Sequence, residues 1–264
     1  MLKISVVTPS YNQGKYLEET IDSVLSQGIN NLEYIIMDGG SDDNSVDIIR
    51  KYEKYLSYWQ SQHDEGQTHA LIEGFNRATG DIFCWLNSDD IYMPVVLKKV
   101  IHYFSENREL ELLYGDYIRL YPDGQRIAKP KISFDFSIAL HAYLMIPQSS
   151  SFWTKRLYNA IGGLNPSFQY AFDCDFFLRA GFHLKNRPLA IKHVQDIWSQ
   201  FRLHPTSKTV AEKKKWPKEF KEIYAHFGMP NSILMRKPRY YYELVRAMYR
   251  FHRERGFIPT GEMK

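Results

Sequence analysis

The sequence predicts an α/β protein whose mainly parallel sheet is flanked by helices on both faces. Short apolar, β-branched runs alternate with segments of helical periodicity, and each strand-and-helix unit occupies about 25 to 35 residues. The chain has 264 residues, of which 44% are apolar and 24% are charged, as is usual for a globular protein. This composition excludes a disordered chain, a collagen-like fibre and a membrane-spanning bundle.

The elements follow one another along the first 90 residues. Residues 4–8 form an apolar run that Pro9 closes, which is typical of a buried strand that ends in a loop. Residues 16–25 have helical periodicity. Further strands are predicted at 32–37, 58–62 and 81–86, and further helices from Ser45 and over 70–78. Because ligands of open α/β sheets bind at the carboxyl ends of the strands, the loops at 8–12, 38–41 and 87–90 are the predicted ligand-binding loops.

The first two of these loops contain groups that suit a nucleotide base. Tyr11 offers a flat ring that can stack on a base, and the Asp38 carboxylate can accept a hydrogen bond from a ring N–H such as that of uracil. An alternative is that Asp38 and Ser41 cap the next helix.

The third loop contains two adjacent acids, Asp89 and Asp90. Neighbouring carboxylates repel each other unless a cation or a donor neutralises them, and hard oxygen ligands on a short loop suit Mg²⁺ or Mn²⁺ bound to a diphosphate. The alternative is an ordinary solvated turn or helix cap.

Taken together, four segments resemble glycosyltransferase family 2, the inverting, nucleotide-sugar-dependent class with a GT-A fold. They are TPSYN at 8–12, MDGGSDDNS at 37–45, the DEGQTHA, GFNRATGDI and WLNSDD stretches within 64–90, and FDCDFFLR at 172–179. The resemblance implies a GT-A (Rossmann-like) catalytic domain at 1–205, with a nucleotide-binding half at 1–105 and an acceptor-binding half at 106–205. A basic, mostly helical extension follows at 206–264.

The resemblance also implies roles for individual residues. Nucleotide contacts are implied for Thr8, Pro9, Tyr11, Asn12, Asp38, Gly39, Asp64, Gly66, Gln67, Asn87, Ser88 and Asp89. Asp90 is the implied metal ligand and Asp173 the implied catalytic base. Asp175 is a rival base whose side chain points elsewhere if this segment begins a helix.

Three further positions have alternative interpretations. His204, within FRLHPTSKT, is by the same resemblance a second metal or phosphate ligand, with Ser207 and Lys208 on the diphosphate; otherwise His204 is an ordinary surface or interface residue. Trp153, with Tyr143 and His141, forms a stacking platform for an acceptor sugar or packs in the core. Two departures from the family pattern are Ile72, which replaces a common Asn, and Cys174, which replaces a large aromatic residue and suggests a wider acceptor pocket.

These implications describe an inverting transfer of a sugar from a nucleoside diphosphate sugar, expected to be UDP-linked, to a hydroxyl group of a glycan or lipid-linked glycan. Mn²⁺ or Mg²⁺ is the expected cofactor, and polysaccharide synthesis at the cell envelope is the expected setting. Two alternatives are a nucleotidyl transferase, for which TPSYNQGK has too few glycines, and a catalytically degenerate nucleotide-sugar-binding or scaffold protein.

The charge of the chain is concentrated at one end. Residues 1–204 contain 20 Lys and Arg against 24 Asp and Glu, whereas residues 205–264 contain 14 against 6. Near the end, Arg239, Arg246, Arg250 and Arg253 recur at helical spacing beside an apolar stripe. This helix either packs on the catalytic domain or binds an anionic membrane surface. No nucleic-acid-binding motif accompanies the charge, so nucleic acid is not an expected partner.

The sequence also predicts a cytoplasmic location, peripheral at the inner face of the membrane if the basic helix binds lipid. The N-terminus runs into a strand pattern instead of a signal peptide, and no window reaches the roughly 20 apolar residues of a membrane span. Cys84 and Cys174 are isolated in apolar surroundings and form neither a disulfide scaffold nor a paired zinc site, which fits a reducing compartment.

Overall fold

The computed structural model describes residues 2–129 and 146–228. Its strands are β1 (Ile4–Ser10), β2 (Leu32–Asp38), β3 (Tyr58–Ser61), β4 (Ile82–Trp85), β5 (Ile91–Tyr92), β6 (Leu112–Leu120), β7 (Arg126–Lys129), β8 (Ser151–Thr154) and β9 (Ile191–Arg202). Its α-helices are α1 (Gly14–Leu25), α2 (Ser45–Tyr52), α3 (Gln67–Arg77), α4 (Val96–Glu106), α5 (Lys155–Ala160), α6 (Phe172–Leu184), α7 (Lys208–Ala211) and α8 (Trp216–His226).

These strands form one sheet in the order β3-β2-β1-β4-β8-β6-β9-β5, with β7 paired to β6. Four neighbouring strands, β3, β2, β1 and β4, are parallel to one another. β6 and β9 are also parallel to each other. β8 is antiparallel to both β4 and β6 and joins the two parallel groups. The prediction of a mixed, mainly parallel sheet flanked by helices is confirmed.

The sheet separates two apolar cores. Successive side chains of a strand point to opposite faces, so that Val7 and Phe83 belong to one core, and Val6 and Cys84 to the other. The first core is completed by α3, α6 and α8, and the second by α1, α2 and α4. Because both faces are covered, β1 is a continuous buried run and not an alternating one. On the first face, a Cβ at Gly74 of α3 would lie 2.5 Å from Val7, so the glycine allows the helix to pack closely on β1.

The predicted strands and helices of the first 90 residues are all present, with small differences at their ends. β1 continues to Ser10, two residues beyond the predicted end at Thr8. Pairing of β1 with β4 ends at Val7, so Pro9 lies beyond the ladder on that side and its missing N–H is not needed there.

The predicted basic extension begins within the fold. Ile223 and Tyr224 of α8 are buried in the first core, so this helix packs against the preceding part of the chain. The arginine-rich helix predicted around residues 239–253 lies outside the described residues. None of the helices within 2–129 and 146–228 is both long enough and apolar enough to cross a membrane.

Candidate active site

A cleft of about 770 Å³ lies at the carboxyl ends of β1, β2 and β4. This volume is in the usual range for small-molecule sites. The predicted site residues that line it are Pro9, Tyr11, Gly39, Asp64, Gly66, Gln67, Asn87, Ser88, Asp89 and Asp173. The segment at 206–212 and Trp216 of α8 close the cleft from the other side. At least six separate parts of the chain therefore converge on one cavity.

The wall formed by the first two strand ends combines an exposed ring with a carboxylate. Tyr11 is 58% exposed, so its ring face is available to a ligand. A Cβ at Gly39 would lie 3.2 Å from Asp64 Oδ2, so glycine allows the two loops to approach each other. Asp64 Oδ1 accepts a hydrogen bond of 2.7 Å from the backbone N–H of Gly66, which fixes the Asp64 carboxylate at the cleft.

Asp38 does not line the cleft, contrary to the prediction that it reads the base. Its carboxylate accepts hydrogen bonds from the backbone N–H groups of Gly40 and Ser41 at 3.2 and 2.9 Å, and from the hydroxyls of Ser41 and Ser61 at 2.6 and 2.7 Å. Three of these bonds end on Oδ2 and one on Oδ1, so the buried carboxylate is held mainly by its own loop and by Ser61. Asp38 does not cap α2 either, since the N-cap residue of that helix is Asn44. It organises the loop, and Asp64 is the carboxylate that faces the cleft.

Thr8 and Asn12 also lie behind the cleft. The Thr8 hydroxyl is buried 3.1 Å from that of Tyr34. The Asn12 backbone N–H donates to Ser41 Oγ at 2.8 Å, and Asn12 Oδ1 accepts from the backbone N–H of Asp42 at 2.9 Å. Asn12 thus joins the loops after β1 and β2, and it does so with a positive φ of 52°. Thr8 and Asn12 therefore support the loops at the cleft and do not line it, contrary to the predicted nucleotide contacts.

Asp89 and His204 form a pair at the cleft. Asp89 lines the cavity, and its Oδ2 lies 3.0 Å from His204 Nε2. His204 is only 4% exposed, and its Nδ1 lies 2.9 Å from the hydroxyl of Thr206. A carboxylate oxygen is a suitable ligand for Mn²⁺, and a neutral imidazole nitrogen is a common ligand for metal ions in proteins.

Asp90, the predicted metal ligand, points away from the cavity. It is fully buried and accepts hydrogen bonds from the backbone N–H of Arg202 at 3.0 Å and from Asn87 Nδ2 at 3.3 Å. Burial, together with the charge of Asp89, raises the pKa of Asp90 well above its ordinary value. Of the two neighbouring acids, Asp89 lines the cleft, whereas Asp90 holds the end of β9 against the loop after β4.

The side chains of Asp89 and His204 are suited to a cation whose remaining ligands come from a bound nucleotide and water. Within residues 2–129 and 146–228, no three His, Cys, Asp or Glu side chains are grouped so as to hold a metal ion by themselves. Mg²⁺ and Mn²⁺ at nucleotide sites take one or two protein ligands and complete their coordination with phosphate oxygens and water. The pair formed by Asp89 and His204 meets this requirement.

Asp173 lies at the start of α6 with its carboxylate in the cleft. Its Oδ1 accepts a hydrogen bond of 2.8 Å from the backbone N–H of Cys174. Burial raises the pKa of Asp173 to about 6, against the lowering effects of that hydrogen bond and of the Lys208 ammonium. At neutral pH the Asp173 carboxylate is ionised yet basic enough to accept a proton.

Asp175 has a different function from Asp173 two residues before it. It is 4% exposed and receives two hydrogen bonds, of 2.8 and 2.6 Å, from the Arg179 guanidinium. Arg179 also donates to the carbonyl oxygens of Ile161 and Gly163, so the pair is buried and ties α6 to the preceding glycine turn. The prediction that Asp175 points elsewhere agrees with this geometry. Cys174 is buried in the first core and does not widen the cleft as suggested.

Gln67 and Lys208, which the resemblance assigns to the nucleotide and the diphosphate, meet at the cleft. Gln67 connects its two sides, because Nε2 donates to Asn87 Oδ1 at 2.9 Å and Oε1 accepts from Lys208 Nζ at 3.2 Å. Burial lowers the pKa of Lys208 to about 8. The lining residues that were not predicted include Tyr117, Arg119, Gln148, Tyr170, Phe201 and Trp216. Such residues are recognisable only from their positions in the fold.

Trp153 does not form the predicted stacking platform for an acceptor sugar. Trp153 is fully buried in the first core, as its alternative interpretation required. Tyr143 and His141 lie outside the described residues. Ser207 is 3% exposed and its hydroxyl donates to the carbonyl of His204 at 2.8 Å.

Known proteins resemble this chain in sequence and in fold. Residues 5–144 match the family described as Glycosyl transferase family 2. An uncharacterized glycosyltransferase of Mycobacterium tuberculosis is 32% identical over 193 residues, which make up 72% of this chain and 72% of that protein.

Two solved structures illustrate the likeness in fold. The structure of S. aureus TarS 1–349 in complex with UDP-GlcNAc has a TM-score of 0.68 at 19% identity, and the match covers 97% of this chain and 75% of that one. Glucosyl-3-phosphoglycerate synthase of M. tuberculosis, in complex with Mn²⁺, UDP and glucosyl-3-phosphoglycerate, has a TM-score of 0.62 at 18% identity. That match covers 88% of this chain and 82% of the synthase.

Proposed function

The chain belongs to glycosyltransferase family 2 and has a GT-A type fold. From this premise we propose that it transfers a sugar from a nucleoside diphosphate sugar to a hydroxyl group of a glycan acceptor. The transfer inverts the configuration at the anomeric carbon. One observation carries the proposal. The same cleft has the Asp173 carboxylate, with its pKa raised to about 6, and the pair of Asp89 and His204. A basic carboxylate and a candidate metal pair are the two groups that such a transfer requires.

Asp173 acts as the general base. Its carboxylate takes the proton from the acceptor hydroxyl while the hydroxyl oxygen attacks the anomeric carbon. The bond from that carbon to the diphosphate oxygen breaks on the opposite face, and the nucleoside diphosphate leaves with the electron pair. A pKa of about 6 suits this task, because most of the carboxylate is ionised at pH 7 while its basicity exceeds that of an ordinary aspartate.

Asp89 and His204 would hold Mn²⁺ or Mg²⁺, which supplies positive charge to the leaving diphosphate when it is bound. Lys208 lines the same cleft and, with a pKa of about 8, is largely protonated at neutral pH. Its ammonium adds positive charge for the diphosphate and lowers the pKa of Asp173. These residues thus stabilise the negative charge that develops as the donor bond breaks.

The nucleotide in this proposal is UDP. Tyr11 stacks on the base, and the Asp64 carboxylate accepts the hydrogen bond from the ring N–H that uracil offers. Pro9, Gly39, Gly66, Asn87 and Ser88 line the remaining nucleotide surface. TarS in complex with UDP-GlcNAc and the synthase in complex with UDP and Mn²⁺ support both the nucleotide and the metal.

The biological setting in this proposal is the assembly of a cell-envelope polysaccharide on a lipid-linked acceptor at the cytoplasmic face of a membrane. Its support is the excess of cationic residues in 205–264, 14 Lys and Arg against 6 Asp and Glu. Such an excess attracts a chain to anionic lipid headgroups and would bring the cleft near a lipid-linked glycan.

The proposal is tested by calorimetric titration of UDP, GDP and dTDP, each with and without Mn²⁺. We expect UDP to bind most tightly and only with the metal. Turnover with a panel of UDP-sugars should then be lost in Asp173→Asn, while this variant, which keeps the shape of the side chain, binds UDP as the wild type does. Absence of nucleotide binding would contradict the proposal. Binding without turnover by the wild type would favour a nucleotide-sugar-binding protein.

A further inference from the structure

Arg119 lines the cleft from a strand that does not carry the nucleotide-binding loops. It belongs to β6, which is three strands from β1 in the sheet order, roughly 14 Å at the usual strand spacing. Asp89 follows β4, which lies between them in the sheet order. In the proposed function the base lies at the loop after β1 and the diphosphate at Asp89, so the donor sugar extends away from β1. Arg119 is therefore on the side from which the acceptor approaches.

The charge of Arg119 is not neutralised by a neighbouring carboxylate. No Asp or Glu within residues 2–129 and 146–228 lies within ion-pair distance of its guanidinium, whereas the cleft residues Asp89 and Glu212 each have a basic partner. Its Nε is buried and has no hydrogen-bond partner in the same part of the chain. The phenols of Tyr117 and Tyr121 hydrogen-bond the guanidinium, so Nε is the nitrogen that remains without an acceptor. A buried donor on a permanent cation without a partner calls for an anionic acceptor atom from a ligand.

Two aromatic rings accompany Arg119 on the same wall. Tyr117 is two residues before it on β6, and Phe201 is its register partner on the parallel strand β9, so the three side chains share one face of the sheet. The rings of Tyr117 and Phe201 meet edge to face at 6.2 Å, and both line the cleft. Aromatic rings beside a cation form a surface that suits a sugar ring with a negatively charged substituent.

We propose that Arg119, Tyr117 and Phe201 form an acceptor subsite that selects a sugar carrying an anionic group, either a phosphate or a carboxylate. This inference rests on the proposed transferase function and specifies its acceptor. Arg119 binds the anion through a charge-assisted hydrogen bond from Nε, and the rings contact the sugar.

The test compares sugars in the presence of saturating UDP and Mg²⁺, which is diamagnetic and does not broaden the NMR signals of the sugars. Methyl glucoside is the neutral probe, methyl glucuronoside carries a carboxylate, and glucose 6-phosphate carries a phosphate; their dissociation constants are measured by ligand-observed NMR. We expect at least one anionic sugar to bind about tenfold more tightly than the neutral one. The more tightly bound of the two anionic sugars identifies the substituent.

Two variants make the result specific. Arg119→Met removes the charge at similar length and should abolish the preference for the anionic sugar while UDP affinity stays unchanged. Arg50→Met removes a cation from the exposed face of α2 and should leave the preference intact. Equal binding of neutral and anionic sugars by the wild type would overturn the inference, and so would loss of UDP affinity in Arg119→Met, which would assign Arg119 to the donor. Failure of UDP to bind the wild type would instead contradict the proposed function itself.

Discussion

At the scale of single residues, the cleft is defined by pairs of nearby acids with different surroundings. Asp89 faces the cavity beside His204, whereas Asp90 is fully buried against the backbone of Arg202. Asp173 faces the cavity, whereas Asp175 is paired with Arg179. In each pair one carboxylate is available for chemistry and the other holds the structure together.

The first prediction separates Asp89 from Asp90. Asp89→Asn should weaken Mn²⁺-dependent UDP binding by about tenfold or more, because a neutral amide is a poorer ligand for a divalent cation. Asp90→Asn, the matched control next to it, should change UDP affinity by less than about twofold, since its side chain does not reach the cleft and its amide oxygen can still accept from Arg202. Calorimetry at saturating Mn²⁺ measures both. The reverse pattern would return the metal site to Asp90.

The second prediction concerns the pH dependence of turnover. Burial raises the pKa of Asp173 to about 6, and only the deprotonated carboxylate can act as a base. The value of kcat/KM should therefore fall about tenfold per pH unit below pH 6 and level off above it. A profile of kcat/KM from pH 4.5 to 8 measures this limb. A limb near pH 4, the value of an ordinary aspartate, would argue against Asp173 as the base.

At the scale of elements, helix α8 supports the catalytic end of α6. Glu219 of α8 accepts three backbone hydrogen bonds, from Gln169 at 2.9 Å and from Tyr170 and Ala171 at 2.8 Å each. Ala171 is the N-cap residue of α6, and Asp173 follows two positions later. A residue about 50 positions further along the chain thus fixes the backbone that carries the proposed base.

The third prediction tests this support. Glu219→Ala should lower the free energy of unfolding by about 2 kcal/mol, because three partly buried N–H groups lose a charged acceptor. It should lower kcat while UDP affinity stays unchanged, and it should move the acidic limb of kcat/KM to lower pH, since the Glu219 charge raises the pKa of Asp173. Chemical denaturation and pH profiles measure these effects.

A matched control lies on the same helix. Glu222→Ala removes an exposed glutamate whose partner, Lys218, is 4.0 Å away, and it should alter neither stability nor the pH profile. A pH limb that stays in place in Glu219→Ala would reduce Glu219 to a purely structural residue.

At the scale of the whole molecule, charge and catalytic residues are separated along the chain. The proposed catalytic and nucleotide-binding residues precede residue 205 or follow it closely, whereas the cationic excess lies in 205–264. Within that segment, Ile223 and Tyr224 are packed in the first core, and Lys208 and Trp216 line the cleft. We assign the proposed membrane contact to residues 229–264, which contain the predicted arginine-rich helix.

The fourth prediction follows from this division. At low salt the full chain should sediment with vesicles that contain phosphatidylglycerol but not with pure phosphatidylcholine vesicles, and 0.5 M NaCl should release it. Removal of residues 229–264 should abolish sedimentation while UDP affinity is retained, which shows that the remaining chain is folded. Binding to both kinds of vesicle, or binding that salt does not weaken, would contradict an electrostatic membrane contact.

The sequence alone determined the elements of the first 90 residues and the loops that meet at the cleft. Periodicity is a local property, set by which side chains a strand or helix must bury, and it can be read without knowing the partners. Ordered motifs likewise indicated Asp89, His204 and Asp173 as residues of one site.

Only the tertiary structure decided which of these carboxylates face the cleft. Asp38 and Asp90 are turned inward by donors that include Ser61 and Arg202, the latter 112 residues away from Asp90. Arg119 and Glu219 reach the site because β6 and α8 pack beside it, and no local pattern marks them. The orientation of a polar side chain depends on where its hydrogen-bond partners lie, and distant partners are brought near only by the completed fold.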